Sequence, residues 1–190
     1  MNDRGLAIDE GETRRLIAAG DERADAFAGL ADRHLAQAYR LASVILGDEV
    51  EGQDAVGDAA VAAWEGFGSL RDRERFDAWF DRILVNGCRD RLRRRGRVRL
   101  IDIDGGPEPS TADGSGSVAE RDALRGALAG LSPEQRVTVV LRYYGDLSLE
   151  EIAERTGERL GTVKSRLHYG LGALRAAYDA ASRLPGEASR

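Results

Sequence analysis

The feature that most constrains the fold is an acidic, glycine- and proline-rich segment that separates two halves of the chain. In this segment, DIDGGPEPSTADGSGSV, only Ile103, Ala112 and Val118 are apolar. Residues 100–120 contain five acidic and no basic side chains. So little apolar surface cannot offset the conformational entropy that is lost when a segment becomes ordered. We therefore predict a flexible acidic linker over residues 100–118, joining two small domains.

Both halves outside this linker show the periodicity of amphipathic helices. In the C-terminal half, SPEQRVTVVLRYY and SLEEIAERTG each begin with a serine followed three residues later by Gln135 or Glu151, the pattern of a capping box. Two further leucine-spaced stretches flank them, which predicts four helices over about 119–180. The N-terminal half contains three such stretches, which begin near Ala24, Val50 and Phe76. The predicted fold class is all-α.

Composition excludes several classes of protein. No apolar run in the 190 residues approaches the roughly 20 needed to span a membrane, and the N-terminus lacks the apolar core of a signal peptide. The lone Cys88 cannot form an internal disulfide, and two histidines offer little from which to build a metal site. Because no phosphate-binding glycine loop or nucleophile motif is present, we predict no catalytic residue and no cofactor. The few histidines and cysteines predict no metal, and the lack of an export signal predicts a cytoplasmic location.

The sequence around Gly157 predicts a helix-turn-helix. Small Ala153 permits two helices to cross closely, Gly157 permits the bend, and apolar Val163 and Leu167 continue on the inner face of the second helix. The exposed start of that helix would carry polar and basic side chains that can reach phosphates and base edges: Thr162, Lys164, Ser165, Arg166 and His168. The alternative is a polar, solvated face on an ordinary helical hairpin.

A second basic cluster ends the third predicted helix. Residues 89–99, RDRLRRRGRVR, contain seven arginines and one aspartate, in a chain whose net charge is −5. So many guanidinium groups on three helical turns repel one another unless an anion lies beside them, and a nucleic-acid backbone supplies one. A merely solvated face is the alternative. We predict that Cys88 packs as a small apolar residue, with a redox role as the alternative, and that His34 is a half-buried helix residue rather than a ligand.

The chain resembles the extracytoplasmic-function (ECF) group of sigma factors. The resemblance is carried by LSPEQR, SLEEIAERTG and GTVKSRL at the spacing of the family, preceded by FDAWFDRILVNGCRDRLRRRGR and DAVGDAAVAAW in the right order. It implies a promoter-specificity subunit of RNA polymerase, with sigma region 2 over 14–99 and sigma region 4 over 119–180. Residues 1–13 and 181–190 are then an N-terminal extension and a C-terminal tail.

The resemblance also implies roles for individual residues. The helix with Asp54, Gly57 and Asp58 would dock on the clamp helices of the polymerase beta-prime subunit. The stretch from Ser69 to Arg95 would open DNA at the minus-ten element, with a base-capturing loop before Phe76. Its implied DNA contacts are Asn86, Arg89, Arg91 and Arg94. The implied minus-thirty-five contacts are Arg159, Thr162, Lys164, Ser165, Arg166 and His168.

The implied partners are core RNA polymerase, through its beta-prime clamp helices and beta flap, promoter DNA, and an anti-sigma factor that could hold the chain near the membrane. No small-molecule substrate and no membrane insertion are expected. The linker would thread through polymerase, and in the free chain its carboxylates are predicted to lie against the arginines of 89–99.

Two departures from the family pattern affect these roles. Gly57 stands where many members have glutamine, which puts the strength of polymerase docking in question. Tyr169 stands where arginine is frequent, which puts one phosphate contact in question. Two other functions stay open from sequence: a stand-alone helix-turn-helix regulator, with residues 1–99 as its sensor or dimerisation domain, and a pure interaction protein that binds neither polymerase nor DNA.

Overall fold

The computed structural model describes the backbone of residues 10–101 and 116–182, and side chains over 22–97 and 120–180. The predicted linker and the C-terminal tail lie almost wholly outside these residues. The described chain is all-α and contains no strand, as predicted. Its helices are α1 (Glu10–Leu46), α2 (Glu49–Gly66), α3 (Phe76–Ile101), α4 (Gly116–Ala129), α5 (Pro133–Tyr143), α6 (Leu149–Thr156) and α7 (Leu160–Ser182), with 3₁₀ turns at Phe67–Ser69 and Arg73–Arg75.

A tight turn joins α1 to α2 and brings their backbones close together. Gly47 adopts a positive φ of 72°, and the side chain of Asp48 accepts a hydrogen bond of 2.8 Å from the backbone N–H of Glu51. Farther along, a Cβ on Gly52 would lie 2.4 Å from Ser43 Oγ and 2.8 Å from its backbone nitrogen. Glycine is therefore required at position 52 for the two helices to cross at this distance.

Aromatic side chains fill the core of the N-terminal half. Phe67, Phe76 and Phe80 are almost completely buried, and Phe27 packs edge-on against Phe67 with ring centroids 5.2 Å apart. Such edge-to-face pairs add to the hydrophobic gain of burying large rings. This core fixes the start of α3, and with it the direction in which the arginine run at the end of α3 extends.

The C-terminal half has the capping signals that its sequence predicts. Ser132 with Gln135 and Ser148 with Glu151 both form complete capping boxes, at the starts of α5 and α6. Gly157 ends α6 in the left-handed conformation, with a φ of 70°. Helix α7 begins at Leu160, where the N–H groups of Thr162 and Val163 bond to the carbonyl of the preceding Arg159.

The two halves pack against each other. Helix α3 contacts α5 and α6, and α1 contacts α5. Apolar side chains of both halves, such as Leu84 and Ile152, belong to one continuous buried cluster. The turn between α5 and α6 also forms a small cavity with α1 and α3, lined by Gln37, Arg40, Leu41, Asp81, Tyr144, Gly145 and Leu147. The sequence, which predicts two domains on a tether, contains no signal of this packing.

Candidate nucleic-acid interface

The start of α7 presents a polar and basic surface, which we call the α7 surface. It consists of all six side chains that the resemblance assigns to the minus-thirty-five element: Arg159, Thr162, Lys164, Ser165, Arg166 and His168. Four of them are exposed, and Thr162 and Arg166 are partly exposed. Val163, on the opposite side of the helix, is buried in the core and holds the helix in place. The surface is thus oriented outward by a short apolar anchor.

The turn before α7 places an acidic residue beside this surface. Glu158 follows the left-handed Gly157, and its backbone N–H bonds to the carbonyl of Ala153 at 3.1 Å. Its carboxylate oxygen Oε1 lies 3.0 Å from Nη1 of Arg166 and 3.1 Å from Nη1 of Arg89 on α3. The hydrogen bond from Arg166 is the main reason that the pKa of the Glu158 carboxyl lies below its usual range. Glu158 is therefore a carboxylate at neutral pH.

The arginine run of α3, residues 89–97 in the described chain, is largely paired with carboxylates of the protein itself. Arg89 is buried, and its guanidinium also donates to Asn86 Oδ1 at 3.1 Å. Arg93 reaches Glu134 at 2.6 Å, Arg91 pairs with Asp58, and Arg95 pairs with Glu51. The anions that the sequence analysis expects beside these arginines are thus present within the chain.

The four predicted minus-ten contacts differ in their exposure. Asn86 and Arg94 are exposed, and Arg94 has no ion pair with any residue that the structure describes. Arg91 is partly exposed, whereas Arg89 is covered by the end of α6, where its guanidinium lies 3.4 Å from the carbonyl oxygen of Thr156. In this arrangement a DNA strand can reach Asn86 and Arg94 and cannot reach Arg89.

The predicted docking helix α2 exposes Asp54, Gly57 and Asp58. A Cβ on Gly57 would have no heavy atom within 4 Å beyond its own helix, so a larger side chain fits there. Asp58 forms the ion pair with Arg91. One residue predicted to meet polymerase and one predicted to meet DNA are therefore neighbours on this side of the N-terminal half.

The predicted base-capturing loop between α2 and α3 is exposed from Arg71 to Arg75 and anchored at both ends. Phe67 and Phe76 are buried in the aromatic core, and the guanidinium of Arg73 stacks 4.4 Å above the Phe67 ring. Asp72 caps the short turn by accepting from the N–H of Glu74 at 3.0 Å. Fixed ends and an exposed middle suit a loop that contacts a strand of nucleic acid.

Two side chains treated in the sequence analysis as packing residues are both buried. His34 is more buried than expected, and its Nε2 lies 2.8 Å from Asp81, which also binds Arg155 of α6 at 2.8 Å. Cys88 is completely buried, and burial raises the pKa of its thiol to about 12. Among the side chains that the structure describes, no three His, Cys, Asp or Glu residues are grouped as a metal site would require.

The comparisons with known proteins identify both halves. Residues 30–98 match the family model for Sigma-70 region 2, and residues 121–174 match that for Sigma-70, region 4. The chain is 35% identical over 166 residues to the ECF RNA polymerase sigma factor SigL of Mycobacterium tuberculosis, covering 85% of this chain and 93% of SigL. The chain belongs to the ECF sigma factors. It therefore binds core RNA polymerase and promoter DNA, as a transcription initiation factor.

Other relatives agree with this assignment. The sigma factor is 31% identical to SigW of Bacillus subtilis, over 85% of this chain and 92% of SigW. It resembles the structure of CnrH in complex with the cytosolic domain of CnrY, with a TM-score of 0.58 and 30% identity over 86% of this chain and 92% of CnrH. The fold also matches the sigma factor RpoE of Bartonella quintana, crystallised with the anti-sigma factor NepR, at a TM-score of 0.62, 24% identity, and coverage of 80% and 96%.

Several residues that shape this interface carry no local sequence signal. Glu158 and Glu134 pair with arginines 69 and 41 positions away in the chain. Asp81 and Arg155 are likewise brought together only by the packing of α3 on α6.

In the part of the chain that the structure describes, no helix is long and apolar enough to cross a membrane.

Proposed function

We propose that this sigma factor reads the minus-thirty-five element with the α7 surface. The observation behind the proposal is that six polar and basic side chains, four exposed and two partly exposed, lie together at the start of α7, beside the Gly157 bend. A helix that enters the major groove by its N-terminal end contacts base edges with such residues, and the positive end of its dipole favours nearby phosphates. In this proposal, the base or phosphate contacts of Lys164 and Arg166 contribute most to promoter binding.

Region 2 engages the minus-ten element and polymerase in this proposal. Asn86 and Arg94 contact DNA directly, and Arg89 and Arg91 contact DNA once their carboxylate partners are displaced. The loop from Arg71 to Arg75 captures an unpaired base. Asp54 and Asp58 dock on the beta-prime clamp helices, with Gly57 between them. The sigma factor has no catalytic activity in this proposal, since the polymerase synthesises the RNA.

The proposed domain limits follow from the same roles. Region 2 spans 14–99 and region 4 spans 119–180, with an extension before them, an acidic linker between them and a short tail after them. Region 4 docks on the beta flap. Because CnrH was solved with CnrY and RpoE with NepR, we further propose that an anti-sigma factor binds this chain in the bacterial cytoplasm, where it could be held near the membrane.

Run-off transcription tests the proposal. Core polymerase with the purified sigma factor, on the DNA upstream of its own gene, should give a transcript of defined length that neither component gives alone. The Lys164→Ala and Arg166→Ala variants should give less transcript, and Arg175→Ala, farther along α7, serves as the control. No transcript from any candidate promoter with active polymerase would contradict the proposed function, and unchanged transcription in both variants would contradict the role of the α7 surface.

A further inference from the structure

The contact between regions 2 and 4 is held by ion pairs that involve predicted DNA contacts. Region 2 contributes Arg75, Arg89 and Arg93, which pair with the carboxylates of Glu154, Glu158 and Glu134 in region 4. One pair runs the other way, from Arg155 of α6 to the buried Asp81 of α3, at 2.8 Å. The contacting faces of region 2 and region 4 are therefore joined by these four ion pairs.

Glu158 differs from the other carboxylates because one of its oxygens contacts an arginine of each proposed DNA-binding surface. Its Oε1 lies 3.1 Å from Arg89 of region 2 and 3.0 Å from Arg166 of the α7 surface. A phosphate that approached either guanidinium would compete with this carboxylate. The pairing also covers Arg89, whose side chain is only 9% exposed.

The packed arrangement cannot read a promoter at both elements. Two nitrogens that each lie about 3 Å from one oxygen are no more than about 6 Å apart. The two promoter elements, at minus ten and minus thirty-five, are separated by roughly 25 base pairs, or about 85 Å at 3.4 Å per base pair. Arg89 and Arg166 therefore contact both elements only after the regions separate.

The interface also contains a feature that favours its opening. Arg136 of α5 is 7% exposed, yet it forms no ion pair with any described residue. Burial, with a smaller contribution from the nearby Arg95, lowers the pKa of its guanidinium to about 10. A buried cation without a carboxylate partner destabilises the packed arrangement, and separation of the regions would return it to water.

We propose that the packed arrangement is an autoinhibited state of the free sigma factor and that Glu158 is the residue that clasps it. This inference rests on the proposed DNA-binding roles of the α7 surface and of region 2. The clasp keeps Arg89 and Arg166 from DNA until polymerase binds the two regions separately. In the free protein the Glu158 carboxylate then competes with phosphate for both guanidinium groups.

Single-molecule fluorescence transfer between dyes on Glu65→Cys and Arg175→Cys tests the clasp, because both sites are exposed and the native Cys88 is buried. Glu158→Gln should shift the population toward low transfer. It should also raise the affinity of the free protein for a promoter duplex, by on the order of tenfold. The matched control is Glu150→Gln, which removes the same charge from an exposed position on α6 that has no ion pair in the described chain. It should leave both measurements unchanged.

A second variant keeps the test valid if Glu158→Gln does not fold. Glu134→Gln removes the partner of Arg93 across the same interface and should shift both measurements in the same direction by less. Identical transfer and affinity for the wild type and both variants would overturn the clasp, as would a wild type that is already at low transfer. Run-off transcription with saturating core polymerase, measured on the same samples, separates the two proposals. A transcript with no shift rejects the clasp alone, and no wild-type transcript rejects the proposed function.

Discussion

The start of α7 and the arginine run of α3 are both basic surfaces of the described chain, and they differ in what surrounds their cations. The α7 surface is set by short-range features, namely the Gly157 bend before it and the buried Val163 beneath it, so most of its side chains face outward. The α3 run meets carboxylates from α2, α5 and the turn before α7. A dense run of arginines therefore indicates an anionic neighbour, which can be either DNA or a carboxylate of the protein itself.

The largest expected effect comes from removing cations of the α7 surface. Lys164→Ala and Arg166→Ala should each weaken promoter use, and a lost base-edge contact should cost about 1–3 kcal/mol and relax the sequence preference at one position. A lost phosphate contact would instead lower affinity evenly across sequences. Transcription from a panel of single-base promoter variants distinguishes the two. Full transcription activity of both folded variants would contradict the assignment of the α7 surface to promoter recognition.

Substitutions at two glycines of α2 test the close crossing of α1 and α2, which positions Asp58 beside Arg91. Gly52→Ala should destabilise the fold by about 1–3 kcal/mol, because the new Cβ would overlap Ser43. Gly57→Ala should stabilise it by up to about 1 kcal/mol, since its surroundings are open and alanine favours the helix. Urea unfolding of both variants measures the difference. Equal free energies of unfolding would show that α1 and α2 do not cross as closely as described.

Charge reversal on α2 tests whether this face meets polymerase. Asp54→Lys should weaken binding to core polymerase while changing stability by less than about 0.5 kcal/mol, because Asp54 is exposed and forms no ion pair in the described chain. Asp58→Lys also breaks the ion pair with Arg91, whose loss should cost at most about 1 kcal/mol at so exposed a carboxylate. Gly57→Gln should bind polymerase as tightly as the wild type or more tightly.

Competition between labelled and unlabelled sigma factor for core polymerase measures this binding, and Glu65→Lys, at the other end of α2, is the control. A large loss of stability in Asp54→Lys would assign that residue a structural role and end its assignment to docking.

The pairing of the α3 arginines should not respond to pH near neutrality. The pKa of Glu158 lies below its usual value of 4.5, mainly because Arg166 donates to it. Burial of Glu134 opposes its ionisation, but the hydrogen bond from Arg93 and the nearby charges outweigh burial, so its pKa is lowered as well. A carboxyl with a depressed pKa stabilises the fold above its unfolded pKa and loses that contribution as pH falls through the folded pKa. Dye transfer should therefore stay constant from pH 8 to pH 6, whereas a change in this range would require a different titrating group.

The smallest expected effect concerns Cys88. Its thiol is buried and has a pKa of about 12, so almost none of it is the reactive thiolate at pH 8. A colourimetric thiol reagent should react with the folded protein only very slowly and with the unfolded protein at once. Rapid reaction of the folded protein would favour the redox role that the sequence leaves open.

How much of the molecule its sequence predicts depends on the range of the interaction. The capping boxes at Ser132 and Ser148 and the bend at Gly157 are local patterns, and all three are confirmed. The all-α fold class and the membership of the ECF sigma factors are confirmed as well. The contact of Arg89 with Glu158 joins residues 69 positions apart, and no periodicity within either helix encodes it.

Of two further expectations, the structure contradicts one and does not describe the residues on which the other depends. His34 is fully rather than half buried, because Asp81 satisfies its ring nitrogen from α3. The predicted contact between the linker carboxylates and the arginines of α3 falls on residues outside those described. It stays a prediction, although protein carboxylates already occupy Arg89, Arg91, Arg93 and Arg95. The assigned site residues also stay predictions, since exposure shows only which of them DNA or polymerase can reach.

The most direct test of the account is the anisotropy of a labelled promoter duplex with the sigma factor alone, with core polymerase alone and with both. We expect weak binding by the sigma factor alone, because Arg89 and Arg166 share Glu158. We expect tight, sequence-specific binding when polymerase separates the regions and both surfaces engage one duplex. Tight and specific binding by the sigma factor alone, unchanged by polymerase, would contradict the account and favour a stand-alone regulator.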